Sequence, residues 1–167
     1  MTISNSSGTD PINRQADLSN QFDFSSTDQW PVTYRGTVYP WHCDHVGHMN
    51  VMWYVGKFDE ASWQFFHLLG LTPQYLRENK RGMAAVDQHL SYLRELHAGD
   101  VLTVRSELLE FKKKSLRFVH EMRLNGEVEV VARCTIKAVH IDSEQRKSCE
   151  FPDQFERMAR ILFDRVA

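Results

Sequence analysis

The segment Asn50–Leu69 constrains this chain more than any other. Val51, Tyr54, Val55, Phe58, Ala61, Phe65 and Leu69 recur at the spacing that puts side chains on one face of an α-helix. Trp63 and Phe66 widen the apolar band, so the helix is expected to be buried over much of its circumference. Asn50 suits the N-cap, where its side-chain oxygen accepts a free amide of the first turn. Gly70 suits the stop.

A helix this apolar has to be covered, and the rest of the chain supplies strands. Met83–Arg94 is one, and Val101–Leu109 follows the turn "HAGD". Leu116, Phe118, His120, Met122 and Leu124 alternate along a third. Val128, Val130, Ala132, Cys134, Ile136 and Ala138 alternate along a fourth, and Asn125-Gly126 between them is a hairpin signal. Before the helix, Val32–Trp41 is β-branched and aromatic and reads as a strand with Pro40 near its end. "FPDQFERMARILF" reads as a short C-terminal helix over a sheet edge, and "TPQYLRENKRG" as a plain connection. An antiparallel sheet buries one face, and the Asn50–Leu69 helix is the element large and apolar enough to fill it. The expected class is α+β, a curved antiparallel sheet wrapped around one long central helix.

The length, 167 residues, fits one domain. Residues 1–29 are polar and lack sustained periodicity, so they are expected as a disordered tail, with one folded domain over residues 30–167. The formal net charge of -2 disfavours nucleic acid as a partner, because a broad phosphate-binding surface needs a basic excess. No run approaches the roughly 20 apolar residues of a membrane span. The N-terminus lacks the apolar core of a signal peptide, so no membrane partner and a cytoplasmic location are expected. Cys43, Cys134 and Cys149 are odd in number and widely spaced, which indicates neither a disulfide framework nor a cysteine zinc site.

The chemistry concentrates in "WHCDHVGHMN", Trp41–Asn50. His42, His45 and His48 share a face only on a helix, and Pro40 and Gly47 oppose a helix there. No metal site is expected from them. Cys43 has His42 and Asp44 as neighbours, but neighbours in extended chain point to opposite faces, so Cys43 is expected as a small half-buried side chain. Asp44 lies between a strand end and the start of the buried helix, and Gly47 allows a tight turn between them. The first amides of a helix lack internal partners and can hold a carbonyl oxygen as negative charge develops on it. A carboxylate a few residues away can attack the carbonyl carbon or activate water against it. The same spacing fits an Asp44 that merely caps a turn or the helix.

"HCDHVGHMNVMWYVGKFDEASWQFFHLLGL" resembles the first motif of hotdog-fold acyl-CoA thioesterases, most nearly the 4-hydroxybenzoyl-CoA thioesterase type. That motif has D-x-x-G, then a central helix with a tyrosine and an acidic-Ala-Ser step. Here these are Asp44, Gly47, Tyr54 and Asp59-Glu60-Ala61-Ser62. "EFKKKSLRF" and "YLRELHAGD" are similar to two further family segments, and the resemblance covers about Val32–Ile141. It implies hydrolysis of an acyl-CoA thioester without metal or cofactor. Asp44 would be the catalytic carboxylate, and the helix start at Asn50, with the Val51 N–H, would polarise the carbonyl. Gly47 and Tyr54 would stand at substrate-binding positions, and Lys112, Lys113 and Lys114 would meet the phosphates of CoA. On charge alone that triplet reads as a solvated hairpin turn. The resemblance also implies a homodimer or homotetramer built by sheet pairing, with the pantetheine arm entering between subunits.

His45, His48 and Asn50 depart from the 4-hydroxybenzoyl-CoA type, so the resemblance does not name the acyl group. Trp41, Trp53 and Trp63 are candidates for a pocket that takes an aromatic or quaternary ammonium acyl group. Helical spacing assigns Trp63 to the core and offers Trp53 to a subunit interface. Two alternatives remain on the same fold. One is a hydratase, which resembles a pattern with Asp and His five apart, whereas Asp44 and His48 are four apart. The other is an acyl-CoA-binding module without catalysis.

Overall fold

A computed structural model describes residues 30–125 and 128–163. The expected tail over residues 1–29 and the Gly126 half of the hairpin signal lie outside the described residues. The elements in chain order are β1 (Val32–Thr37), a 3-10 turn (Pro40–His42), α1 (Val51–Leu68), α2 (Pro73–Glu78), β2 (Arg81–Tyr92), β3 (Val101–Phe111), β4 (Ser115–Leu124), β5 (Val130–Asp142), β6 (Lys147–Ser148) and α3 (Asp153–Leu162). The strands form one sheet in the order β1-β3-β4-β5-β2, with β6 added to β5, and every pairing is antiparallel. This is the hotdog arrangement expected from the sequence, with β1 and β2 at the two edges.

The sheet turns its apolar alternation towards α1. Leu102, Val104 and Leu108 of β3, Phe118 and Met122 of β4, and Cys134 and Ile136 of β5 are buried in one core with Phe58, Phe65 and Leu69. The Phe65 and Phe118 rings stack across the helix–sheet contact with centroids 4.9 Å apart. Asn50 caps α1 as expected, its side chain accepting the Met52 N–H at 3.0 Å. Gly70 follows the helix end at φ +90, a backbone conformation that glycine adopts without strain.

The burial of α1 is narrower than the sequence pattern implied. Tyr54, Lys57, Phe58, Ala61, Ser62, Phe65 and Phe66 form the buried arc. Val51, Val55 and Trp63 are exposed, Trp63 at 44%, so the assignment of Trp63 to the core is corrected. The reason is geometric: one sheet closes over only part of a helical rod, and the apolar pattern extends beyond the part it reaches. The arc also holds polar groups with partners. Lys57 donates to the Tyr34 hydroxyl at 3.1 Å and the Thr37 carbonyl at 3.4 Å. His120 lies fully buried between Ser62 (Nε2 to Oγ 2.9 Å) and Ser106 (Nδ1 to Oγ 2.6 Å), and Ser106 meets Thr33 at 2.5 Å. Buried polar side chains in folded proteins are nearly always satisfied in this way.

Two boundaries differ from expectation. The first strand ends at Thr37 instead of Trp41, because Pro40 opens the 3-10 turn, a position where its missing N–H costs nothing. The connection after α1 contains α2, capped by Thr72 with Pro73 behind it, a start signal visible in the sequence. The C-terminal helix α3 does cover an unpaired flank. Strand β1 pairs with β3 only between Val101 and Arg105, and α3 packs near the far end of β3 with Phe155 and Ala159 buried.

Candidate active site

The loop Cys43–Met49 is a small closed turn. Cys43 and Met49 form a single antiparallel bridge, the Asp44 N–H donates to the His48 carbonyl at 3.1 Å, and the Gly47 N–H donates to the Asp44 carbonyl at 3.1 Å. Gly47 sits at φ +99, so the turn needs a residue without a Cβ there. The loop is fastened to the fold from both ends. The Met49 N–H donates to Leu96 at 2.7 Å and the Asn50 N–H to His42 at 2.9 Å.

This turn sorts the five chemically interesting side chains. His42 is buried and packs on Trp53 with centroids 4.3 Å apart, and its Nδ1 accepts the Tyr39 N–H at 3.1 Å. Burial, reinforced by the charge of Lys57, pushes its pKa down, so it is a neutral packing group. Cys43 is half-buried against the core, and His45 is exposed. His48 approaches Glu95 at 3.7 Å. Among the described residues no three His, Cys, Asp or Glu side chains group closely enough to hold a metal ion.

Asp44 is held at the start of α1. Its Oδ1 accepts the Val46 N–H at 2.9 Å and its Oδ2 accepts the Asn50 side-chain amide at 3.2 Å. The Val46 N–H, then the Asn50 amide, hold its carboxyl below the usual carboxylate range, so it is ionised at neutral pH. Two hydrogen bonds leave a carboxylate with lone pairs for water or substrate. Asn50 has a double role, because the same side chain also accepts the Met52 N–H, and its carbonyl accepts the Trp53 N–H at 2.9 Å. The Val51 N–H has no acceptor among the described residues. An anionic group, its amide tether and a free backbone donor at a helix N-terminus thus share one corner of the fold.

Two other sequence candidates lie elsewhere. Tyr54 is buried, edge-on to Tyr92 at 5.1 Å, and its hydroxyl donates to the Arg94 carbonyl at 3.4 Å. Burial pushes its pKa up to about 12. It packs beneath the site and presents no free hydroxyl. The lysine triplet forms the β3–β4 turn, with all three side chains exposed and Lys112 paired to Glu110 at 2.8 Å. The carbonyls of Lys113 and Lys114 accept the N–H groups of Phe151 and His140, at 2.8 and 2.9 Å. This turn is at the opposite end of β3 from the Asp44 loop, which is bonded to Leu96, shortly before β3 begins at Val101. The length of β3, Val101 to Phe111, amounts to about 33 Å. Within one chain the triplet and Asp44 are not brought together.

Of the exposed face of α1, the sequence offers only Trp63 as a pocket candidate. Val51, Val55, Asp59 and Trp63 follow one another every four residues, a line along the helix surface. The line runs from the free amide into a cleft of about 180 Å³ between α1 and strands β2, β4 and β5. Its walls include Asp59, Ser62, Trp63, Phe66, Gln88 and Phe118. The four-residue spacing was legible, but it was absorbed into the buried band.

Residues 38–158 match the profile of the thioesterase-like superfamily, well over half of the chain. The chain belongs to the thioesterase-like superfamily. With that membership it takes its place among the thioester hydrolases. This thioesterase is 26% identical over 130 residues to the betainyl-CoA thioesterase of Pseudomonas aeruginosa, covering 78% of the chain and 80% of that relative. It is 30% identical over 114 residues to the L-carnitine dehydrogenase/betainyl-CoA thioesterase of Agrobacterium fabrum, covering 68% of the chain and 23% of that longer protein. A Staphylococcus aureus protein solved in complex with CoA superposes with a TM-score of 0.76 at 21% identity, over 83% of this chain and 87% of its own, a likeness of fold.

Proposed function

We propose that this thioesterase hydrolyses an acyl-CoA to free CoA and a carboxylic acid, with Asp44 as the catalytic carboxylate. The observation that carries the reading is the Asn50 amide, which binds Asp44 on one side and caps α1 on the other. A thioester carbonyl seated at the Val51 N–H would place its developing negative charge at the positive end of α1. Asp44 then acts on the carbonyl carbon in one of two ways. It attacks directly, forming an anhydride that water opens, or it takes a proton from the water that attacks. In both routes the C–S bond breaks, CoA leaves as thiolate and takes up a proton, and one water is consumed. The names of the Pseudomonas aeruginosa and Agrobacterium fabrum relatives, and the CoA bound to the Staphylococcus aureus protein, support CoA as the carrier.

The distance between Asp44 and the lysine triplet gives the assembly a role. CoA phosphates gripped by Lys113 and Lys114 belong, on this reading, to a substrate whose thioester lies in another copy of the chain. Strand β2 supplies a surface for such pairing. It is 12 residues long, stands at a sheet edge and is largely exposed. An unpaired edge of that length is a template for a second copy. A homodimer, or a homotetramer built from it, is the proposed working form.

Thiol release from a panel of acyl-CoA esters tests the reading. Asp44→Asn is expected to lower kcat by about 100-fold or more while the protein melts as the wild type does. An Asp44→Asn variant that keeps kcat within about threefold would remove Asp44 from the mechanism.

A further inference from the structure

The cleft beside α1 combines aromatic rings with a single carboxylate. Three aromatic rings line it: Trp63 is exposed at its mouth, and Phe66 and Phe118 stand behind it in the core. Trp63 and Phe66 meet edge to face at 5.7 Å, and Phe66 and Phe118 meet edge to face at 5.5 Å, so successive rings stand nearly at right angles. The cleft contains one carboxylate, Asp59, and no lysine, arginine or histidine lines it. Asp59 makes no side-chain hydrogen bond or ion pair among the described residues. Ser62 adds no charge, because its hydroxyl is held between the Phe58 carbonyl and His120, both at 2.9 Å.

Aromatic faces carry partial negative charge and attract cations, most strongly cations that shed water easily and need no hydrogen-bond acceptors. A quaternary ammonium has both properties. A neutral group of the same shape gains the apolar contact without the charge term, and a carboxylate is repelled by Asp59. The volume, about 180 Å³, is below the usual range for larger ligands, so the cleft suits a short acyl group.

The position agrees with the size. Asp59 stands eight residues after Val51, about 12 Å along the helix axis. A hydrogen bond at the carbonyl takes up about 3 Å and an ion contact at the other end about 4 Å. Roughly 5 Å remains for the chain from carbonyl carbon to charge, which admits a few bonds. Val55, between the two, gives an apolar path. We infer that the cleft of Asp59 and Trp63, backed by the buried Phe66 and Phe118, is the acyl-head site of this enzyme and takes a short acyl group ending in a quaternary ammonium. The inference rests on the thioester-hydrolase reading for its carbonyl end, and the betainyl-CoA relatives act on an acyl group of this chemistry by name.

The test compares betainyl-CoA with 3,3-dimethylbutanoyl-CoA, in which carbon replaces the charged nitrogen. The wild type is expected to show a kcat/KM at least about tenfold higher for the cation, and Asp59→Asn to reduce that preference by about tenfold, with Asp59→Glu retaining most of it. A second measurement is independent of turnover. Calorimetric Kd values are taken for the two corresponding non-hydrolysable thioethers of CoA, on the wild type, Asp59→Asn and Trp63→Leu. Both variants are expected to weaken the cationic ligand more than the neutral one, by about three- to thirtyfold for Trp63→Leu. A wild type that does not distinguish the two thioethers, or variants that weaken both equally, overturns the inference. If no thioester is cleaved at all, the hydrolase reading falls, and the Kd comparison still decides the cleft.

Discussion

Replacing Val51 by proline isolates one hydrogen-bond donor. Proline removes the backbone N–H and is tolerated at the first position of a helix, which Val51 occupies. It also restricts the residue before it to extended backbone, and Asn50 already has φ -66 and ψ 145. The Val51 amide bonds to nothing among the described residues, and its side chain is 55% exposed, so little folding energy is at stake. Trimming half-exposed valine atoms costs about 1 kcal/mol at most. Against that, removing a donor from a developing oxyanion costs about 3 kcal/mol, a fall in kcat of about 100-fold or more. Val51→Ala is the control, since it trims the side chain and keeps the amide. Steady-state thiol release from betainyl-CoA and thermal melting of both variants give the comparison. A Val51→Pro enzyme within about threefold of Val51→Ala in kcat would refute the assignment of this amide to the carbonyl oxygen.

Two further outcomes follow from the geometry. Burial pushes the His120 pKa down to about 3, from an ordinary value of 6.5. The sign follows from proton counting. Above pH 6.5 both folded and unfolded forms are neutral at this residue. Below it only the unfolded chain takes up the proton, so stability falls by about 1.4 kcal/mol per pH unit until the folded pKa is reached. His120→Asn is expected to be less stable at pH 7, yet to lose about 2 kcal/mol less than the wild type between pH 7 and pH 5 in urea titrations; parallel curves would contradict it. Changing Lys112, Lys113 and Lys114 together to glutamine is expected to raise KM for CoA esters several-fold and to leave short thioesters lacking the nucleotide unchanged. Equal losses on both substrates would end the phosphate-binding role.

Much of the architecture was legible because burial alone dictates it. The period of Phe58, Phe65 and Leu69 required a covered helix, and the alternation from Leu116 to Ala138 required a sheet with one dry face. The Asp44 loop was legible in outline through Gly47 and the Asn50 cap. What periodicity leaves open is how far around the helix the sheet reaches. Val51, Val55 and Trp63 fit the apolar band as well as Phe65 does, and only the curl of the sheet divides them. The lysine triplet presents a related problem. On charge alone it reads as a solvated turn, and only the resemblance implied phosphate; its separation from Asp44 depends on the docking of the Asp44 loop at Leu96, at the other end of β3, a tertiary contact that no local pattern reveals. The two-sided work of Asn50 was also hidden, since a helix cap and a carboxylate tether look the same in a sequence.

Selection can act on the two sides of α1 almost independently. The side with Phe58, Ala61 and Phe65 locks the rod to the sheet, and mutations there are paid for in stability. The side with Val55, Asp59 and Trp63 carries little of that burden, so if it holds the acyl head as inferred above, drift along it retunes which acid is released without endangering the scaffold. A lineage built this way can explore new esters through a handful of surface substitutions.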